Sequence, residues 1–244
     1  MASRLNCGGS SVPRLWPEHG HMCTRRSREG CPRTPVGGVD ASADLDSDMR
    51  PRDAIEAVTA GHRQIATAVA SLDDDGMRQP SLLPGWSRAR VIAHLAHKSR
   101  SHVLVIEAAR AGSLGNQYPD GQDVADVESE AWSQRPTDEL VGLLVDGFAA
   151  LEDAWAQTPD DAWTRRGISS AGPRSMLEFV ERHMRDVFVH HVDLAIGYRP
   201  SDWPLVFVNT ELPKRLRDLR TRAEPSALLA WLLGRTAAPE LSGW

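Results

Sequence analysis

The amino-acid sequence predicts a mostly α-helical fold, a four-helix bundle with a short C-terminal appendage. Three observations carry that expectation. Apolar residues recur at helical spacing in four long stretches, polar connections containing Gly and Pro separate those stretches, and neither internal repeats nor coiled-coil heptads appear. At 244 residues and 41% hydrophobic content the chain can bury a sizeable core in one domain.

Residues 1–48 read as a disordered N-terminal tail, rich in Gly, Ser, Pro and Arg and almost without periodic apolar residues. Met49 stands just before the first periodic segment, so the tail also reads as an over-long start. All three cysteines, Cys7, Cys23 and Cys31, fall in it, with His19 and His21 nearby. The spacing lacks the paired C-x-x-C of a zinc knuckle, and disorder is the favoured reading.

Residues 49–200 are expected to form the bundle. Ile55, Val58, Ile65, Val69 and Leu72 mark a first helix over residues 52–72, ended by the acidic run Asp73-Asp74-Asp75-Gly76. The turn Leu82-Leu83-Pro84-Gly85-Trp86-Ser87 offers Ser87 as an N-cap and Trp86 as an apolar staple for a second helix over residues 88–111. Pro136-Thr137 opens a third, with Leu140, Leu143, Leu144, Phe148, Leu151 and Trp155 as its stripe. Pro173 starts a fourth, which stops at Gly197. Residues 201–244 read as a short helical extension: after the turn-rich Arg199-Pro200-Ser201-Asp202-Trp203-Pro204 come a fifth helix over residues 205–219 and a sixth over 225–233.

Net charge is −5, and the Lys and Arg residues are spread among acidic neighbours, so no nucleic-acid partner is expected. No segment approaches the roughly 18 to 20 apolar residues of a membrane span. The N-terminal arginines have no apolar stretch behind them, which argues against a secretory signal and makes a cytoplasmic location the default; a monomer is the default oligomeric state. The folded part has no cysteine for a disulfide or a nucleophile.

Asp186 and His190 lie one helical turn apart, which puts a carboxylate and an imidazole on one face as a helix-borne chelate requires. On a helical wheel they sit at the margin of an apolar arc with Phe179, His183, Val187 and Leu194, opposite Glu178, Glu181 and Arg185. A carboxylate there needs its charge compensated, and a divalent cation would do so. The same count turns His94 inward with Val91, Leu95, Lys98, His102, Val105 and Ile106. If the two helices pack together, His94, Asp186 and His190 converge and leave room for a fourth ligand. Ordinary helical salt bridges share this spacing, so both readings stand on geometry alone. The remaining histidines have blander readings. His97 points to solvent, His102 and His183 read as core histidines bonded to backbone carbonyls, and His191 as packing or support. Asp193 lies where it can orient a ligand imidazole. Arg88, Arg174 and Arg199 are candidate anion partners, better read as solvated charges.

The residues Leu83-Pro84-Gly85-Trp86-Ser87 and Val91-Ile92-Ala93-His94-Leu95-Ala96 carry a resemblance, together with Arg185-Asp186-Val187-Phe188-Val189-His190-His191-Val192-Asp193-Leu194 and Gly197-Tyr198-Arg199-Pro200-Ser201-Asp202-Trp203-Pro204. In this order they resemble the mycothiol-dependent maleylpyruvate isomerase family, one of the DinB-like metal-binding four-helix bundles. The resemblance runs from about Arg52 to the C-terminus, where Leu228-Leu229-Ala230-Trp231-Leu232-Leu233-Gly234-Arg235 is also typical. It implies a divalent ion of the zinc type on His94, Asp186 and His190, with mycothiol as the thiol cosubstrate and a small electrophile as the substrate. The reaction implied is isomerisation of that electrophile or S-transfer to it. Two departures stand out: aspartate at 186 where the family usually has glutamate, and a C-terminal region short of a full second domain. The alternatives are a hydrolase using the same ion to activate water and a metal-free DinB-like binding module.

Overall fold

The computed structural model describes residues 51–241. The expected tail over residues 1–48, with its cysteines and with His19 and His21, lies outside them. The described residues belong to one compact unit of eight α-helices and one β-hairpin. None of the helices is long and apolar enough to cross a membrane.

The first stretch forms helix α1, Arg52–Val69, which buries Val58, Ile65 and Val69 on one side. The acidic run does more than end it. Asp73 accepts a hydrogen bond from the Gly76 N–H at 2.8 Å and so caps a one-turn helix, α2, Asp74–Arg78. Carboxylates in a first helical turn suit the positive end of the helix dipole. Ser87 accepts from the Arg90 N–H and opens α3, Arg88–Arg110, as its spacing predicts.

Helix α4, Gln122–Ser133, has no counterpart in the sequence-based expectation. Its buried residues are Ala125, Ser129 and Ser133, a stripe of small side chains four apart, whereas Val124 and Val127 face outward. An apolar-periodicity argument therefore has nothing to detect. α5, Thr137–Ala156, follows.

The start of the last bundle helix differs from expectation. Pro173 lies in a β-hairpin, β1 Arg166–Ser169 against β2 Gly172–Ser175, with Ser169 paired to Gly172. Gly172 takes φ +95°, which a side-chain-bearing residue rarely adopts. Helix α6, Met176–Asp193, begins only after Ser175, whose side chain accepts from the Glu178 N–H while Glu178 accepts from the Ser175 N–H. This reciprocal cap satisfies two donors at once and outcompetes Pro173 as the start signal.

α1 packs on α5 and α6, and α3 packs on the same two helices. Hence α1 and α3 occupy opposite corners of the bundle, and α4 lies against the outside of α3. Ile65, Leu95, Leu144, Leu151, Phe179, Met184 and Val187 fill the shared core. The appendage consists of α7, Leu205–Arg222, and α8, Pro225–Leu232. α7 is moored on α1 and α6, with Phe207 against Phe188 and the Trp203 indole N–H donating to the Phe188 carbonyl at 3.1 Å.

The loop between α3 and α4 passes so close to α3 that a Cβ on Gly115 would sit 2.8 Å from the Val105 Cα and 2.8 Å from the Ala108 Cβ. Backbone cannot step aside as a long side chain can. Gly115→Ala is therefore expected to destabilise the fold by about 1–3 kcal/mol, read as a lower urea midpoint at unchanged slope. An unaltered midpoint would contradict this packing.

Candidate functional site

The site lies where α3 and α6 run side by side, and Arg88 holds their ends together. Its guanidinium donates to the carbonyls of Leu194 and Ala195 at the end of α6 and to that of Gly76. Nearby, the Leu82 N–H donates to the Asp193 carbonyl at 2.8 Å. Arg88 is thus a strap and not the solvated charge or anion partner expected from the sequence. The last carbonyls of a helix lack internal partners, and these donors supply them.

With the helices so fixed, His94 and His190 face one another, ring centroids 5.0 Å apart and nearly perpendicular. Trp86 stands edge-on to His94 at 5.6 Å. The His190 Nδ1–H donates to Asp193 Oδ2 at 2.9 Å. A neutral imidazole carrying its proton on Nδ1 leaves the Nε2 lone pair free to act as a ligand. Burial above all, with help from the neighbouring His190, holds the His94 imidazole down to about 4, although Asp186 pulls the other way. His94 is accordingly uncharged at neutral pH.

Asp186 belongs to the same charge cluster. Its side chain is 13% exposed, and Lys98 Nζ approaches its Oδ2 at 3.8 Å. That oxygen is buried and has no hydrogen-bond partner. Burial pushes the Asp186 carboxyl up, but Lys98, His94 and His190 outweigh it and hold the group at about 2. The structure therefore brings His94 and His190 face to face and sets the Asp186 carboxylate beside them, on the Lys98 side. Among the described residues no set of three or more His, Cys, Asp or Glu side chains stands in a metal-ligating array.

Of the other histidines, His191 packs as expected, while His97, His102 and His183 depart in part from their expected roles. His97 is covered by α4 instead of facing water: its ring bonds Glu128 at 3.1 Å and packs on Trp132 and Tyr118. His102 and His183 are core residues, but neither bonds a backbone carbonyl. His62 Nδ1–H donates to Glu152 Oε1 at 2.7 Å, and His62 Nε2 meets His183 Nε2 at 2.9 Å. His183 Nδ1 and both ring nitrogens of His102 are buried without partners. The two rings lie 5.2 Å apart. His62 sits on the stripe of Val58, Ile65 and Val69, and a histidine among apolar residues at helical spacing is the sequence signal that marks it. His191 stacks on Tyr198 at 3.8 Å, and burial lowers its pKa to about 4, against the pull of Asp202. Arg174 stays at the surface beside Glu178, and Arg199 is exposed.

A cavity of about 430 Å³ opens between α3 and α4, with His97, Arg100, Gln117, Tyr118 and Trp132 among its walls. Tyr118 is shared with the site, because Lys98 Nζ donates to its hydroxyl at 3.2 Å. Arg100 lies over the Trp132 ring. The cavity therefore combines an aromatic wall with polar and cationic groups, the mixture typical of small-molecule sites.

Two solved structures share this fold, the mycothiol-dependent maleylpyruvate isomerase and a histidine-to-alanine mutant of it. They are 23% and 22% identical to the chain, each with a TM-score of 0.66, and the match covers 79% of this chain and 81% of theirs. No curated protein matches. At that identity the likeness establishes the architecture, a DinB-like bundle, and leaves the chemistry to the residues. Residues 58–195, more than half of the chain and the span from within α1 to just past the end of α6, match the family described as the mycothiol maleylpyruvate isomerase N-terminal domain. By that match, over the helices that carry His94 and His190, the chain belongs to the mycothiol maleylpyruvate isomerase family.

Proposed function

We propose that the chain is a metal-dependent, thiol-using enzyme. It takes mycothiol as cosubstrate at a divalent ion of the zinc type held by His94, Asp186 and His190, and uses it to isomerise a small electrophile or to transfer sulfur to one. The observation that carries this reading is the pair of imidazoles 5.0 Å apart with a buried, partnerless carboxylate oxygen in the same cluster.

The donors suit such an ion. His94 is uncharged because it is buried, and the Asp193 carboxylate fixes the tautomer of His190 that leaves Nε2 bare. Asp186 is ionised, so the set is two imidazoles and one anion. A bound divalent ion supplies the positive charge that makes a thiol give up its proton near neutral pH. The protein's own part is to hold ligands, exclude water and place the electrophile. The helical unit has no cysteine, which fits a reaction whose sulfur is brought by a small molecule. The cavity beside Tyr118 provides space and an aromatic wall for that molecule or its acceptor.

A second reading, a metal-free DinB-like binding module, is favoured by one observation. Asp186 already has a cation at hand in Lys98.

Elemental analysis of the purified full chain, combined with an assay of mycothiol conjugation against a panel of electrophiles, separates the two. The enzymatic reading expects about one zinc per chain and metal-dependent thiol consumption. In cobalt-substituted protein, adding mycothiol should raise a thiolate charge-transfer band. Protein that takes up no divalent metal and leaves mycothiol unreacted would instead be the binding module.

A further inference from the structure

Lys98 follows His94 by one turn on α3, and its side chain is only 11% exposed. Its ammonium has two polar neighbours, the Tyr118 hydroxyl at 3.2 Å and Asp186 Oδ2 at 3.8 Å. The second distance is an ion pair without a hydrogen bond, and the oxygen involved has no other partner. A buried carboxylate needs a compensating cation. The charged and titratable groups acting on Asp186 include Lys98, His94 and His102 from α3, and Arg182, His183, Arg185 and His190 from α6. Of these, Lys98 is the permanent cation in contact.

A divalent ion between His94 and His190 would draw on the same carboxylate and would meet the ammonium as a like charge, in a place too dry for water to screen it. Aspartate sharpens the conflict. With one methylene fewer than glutamate it has less reach, so it cannot easily serve the imidazole pair while it lies beside Lys98.

We propose that Lys98 is the resident counter-cation of Asp186 and competes with the divalent ion for that carboxylate, so that this one lysine sets how tightly the chain takes up metal. The inference rests on the ligand set proposed above. It makes metal loading a weighted choice between two cations at one anion, an ammonium on the protein and an ion from solution. Tyr118 retains the lysine whichever cation prevails.

The test is zinc affinity, measured with zinc alone on the full chain by competition with a chromogenic chelator at fixed pH. Lys98→Met keeps the apolar stem and removes the charge. It is expected to bind zinc at least ~100-fold more tightly than the parent, a gain of about 3 kcal/mol. Lys98→Arg, which keeps the charge, should show no such gain, and adding His94→Ala to Lys98→Met should erase it. Asp186→Glu, with the longer reach, should also tighten binding. Without zinc, Lys98→Met should melt lower than the parent because its carboxylate is left unpaired, and zinc should restore the loss. Should that variant fail to fold, Lys98→Gln serves in its place.

Equal or weaker zinc binding by the charge-removed variant would overturn the inference, whether or not the parent binds zinc. A parent that binds no zinc beside a Lys98→Met that binds about one equivalent would support the lysine's role. That same result would refute metal-dependent activity in the natural chain. Tight, equal binding by both would do the reverse.

Discussion

Acidified from pH 7, the protein is expected to lose its fold near pH 4, and three core histidines account for most of that loss. Burial holds His62 down to about 3. His102 and His183 lie well below their ordinary 6.5, first through burial and then through repulsion, from His183 in one case and His62 in the other. All three are neutral in the folded protein. In the unfolded chain each takes a proton as the pH falls through about 6.5. Below that point the unfolded state binds more protons, so stability present at neutral pH drains away as the pH drops. Each histidine removes about 1.4 kcal/mol per pH unit, the three together about 4, and His94 and His191, held at about 4, steepen the loss. A domain with about 5–15 kcal/mol of stability is then exhausted two to three units lower. Lys98 disfavours the charged form of both His102 and His183, and Asp186 favours it. Glu152, which accepts from His62, is itself raised by burial and gives back part of the loss in acid. Urea midpoints measured from pH 7.5 to 5 would check the slope, and midpoints that stay level over that range would refute it. The variant His102→Leu sharpens the test. Both nitrogens of that ring are partnerless, so the substitution should cost little at pH 7.5 and flatten the slope by about one proton.

His94→Ala is expected to take metal content from about one equivalent to less than about a tenth while leaving the helical circular-dichroism signal in place. Alanine is the best helix former, and α3 is held by Val91, Ile92 and Leu95 around the site. With His94 gone, the facing imidazole pair is reduced to His190 and a carboxylate whose nearer cation is Lys98. His97→Ala is the matched control, because His97 faces α4 and Glu128. It should take up zinc to the same level as the parent. Full metal retention by His94→Ala would show that the ligands lie elsewhere, whatever the family.

Much of the architecture is legible residue by residue. Ser87 caps α3, the stripe from Leu140 to Trp155 makes α5, and Leu205 and Pro225 open the two appended helices, all as local spacing predicts. The start of α6 was also written locally, in Ser175 and Glu178, but Pro173 is the louder signal and misplaces it by three residues. α4 was silent because its buried face is Ala and Ser. His94, Asp186 and His190 could be singled out from helical phase and from resemblance. That same phase could not say what stands beside Asp186.

Local chemistry by itself settled the helical class of this protein, the four bundle helices and the inward faces of α3 and α6, because capping and a 3.6-residue period act within a few residues of chain. Packing alone decided that Lys98 lies against Asp186, that His62, His183 and Glu152 form one chain of contacts, and that α4 covers His97. Those pairings join residues from about 30 to more than 120 positions apart, and charge and burial at such contacts depend on which helices become neighbours, a property that no single helix carries.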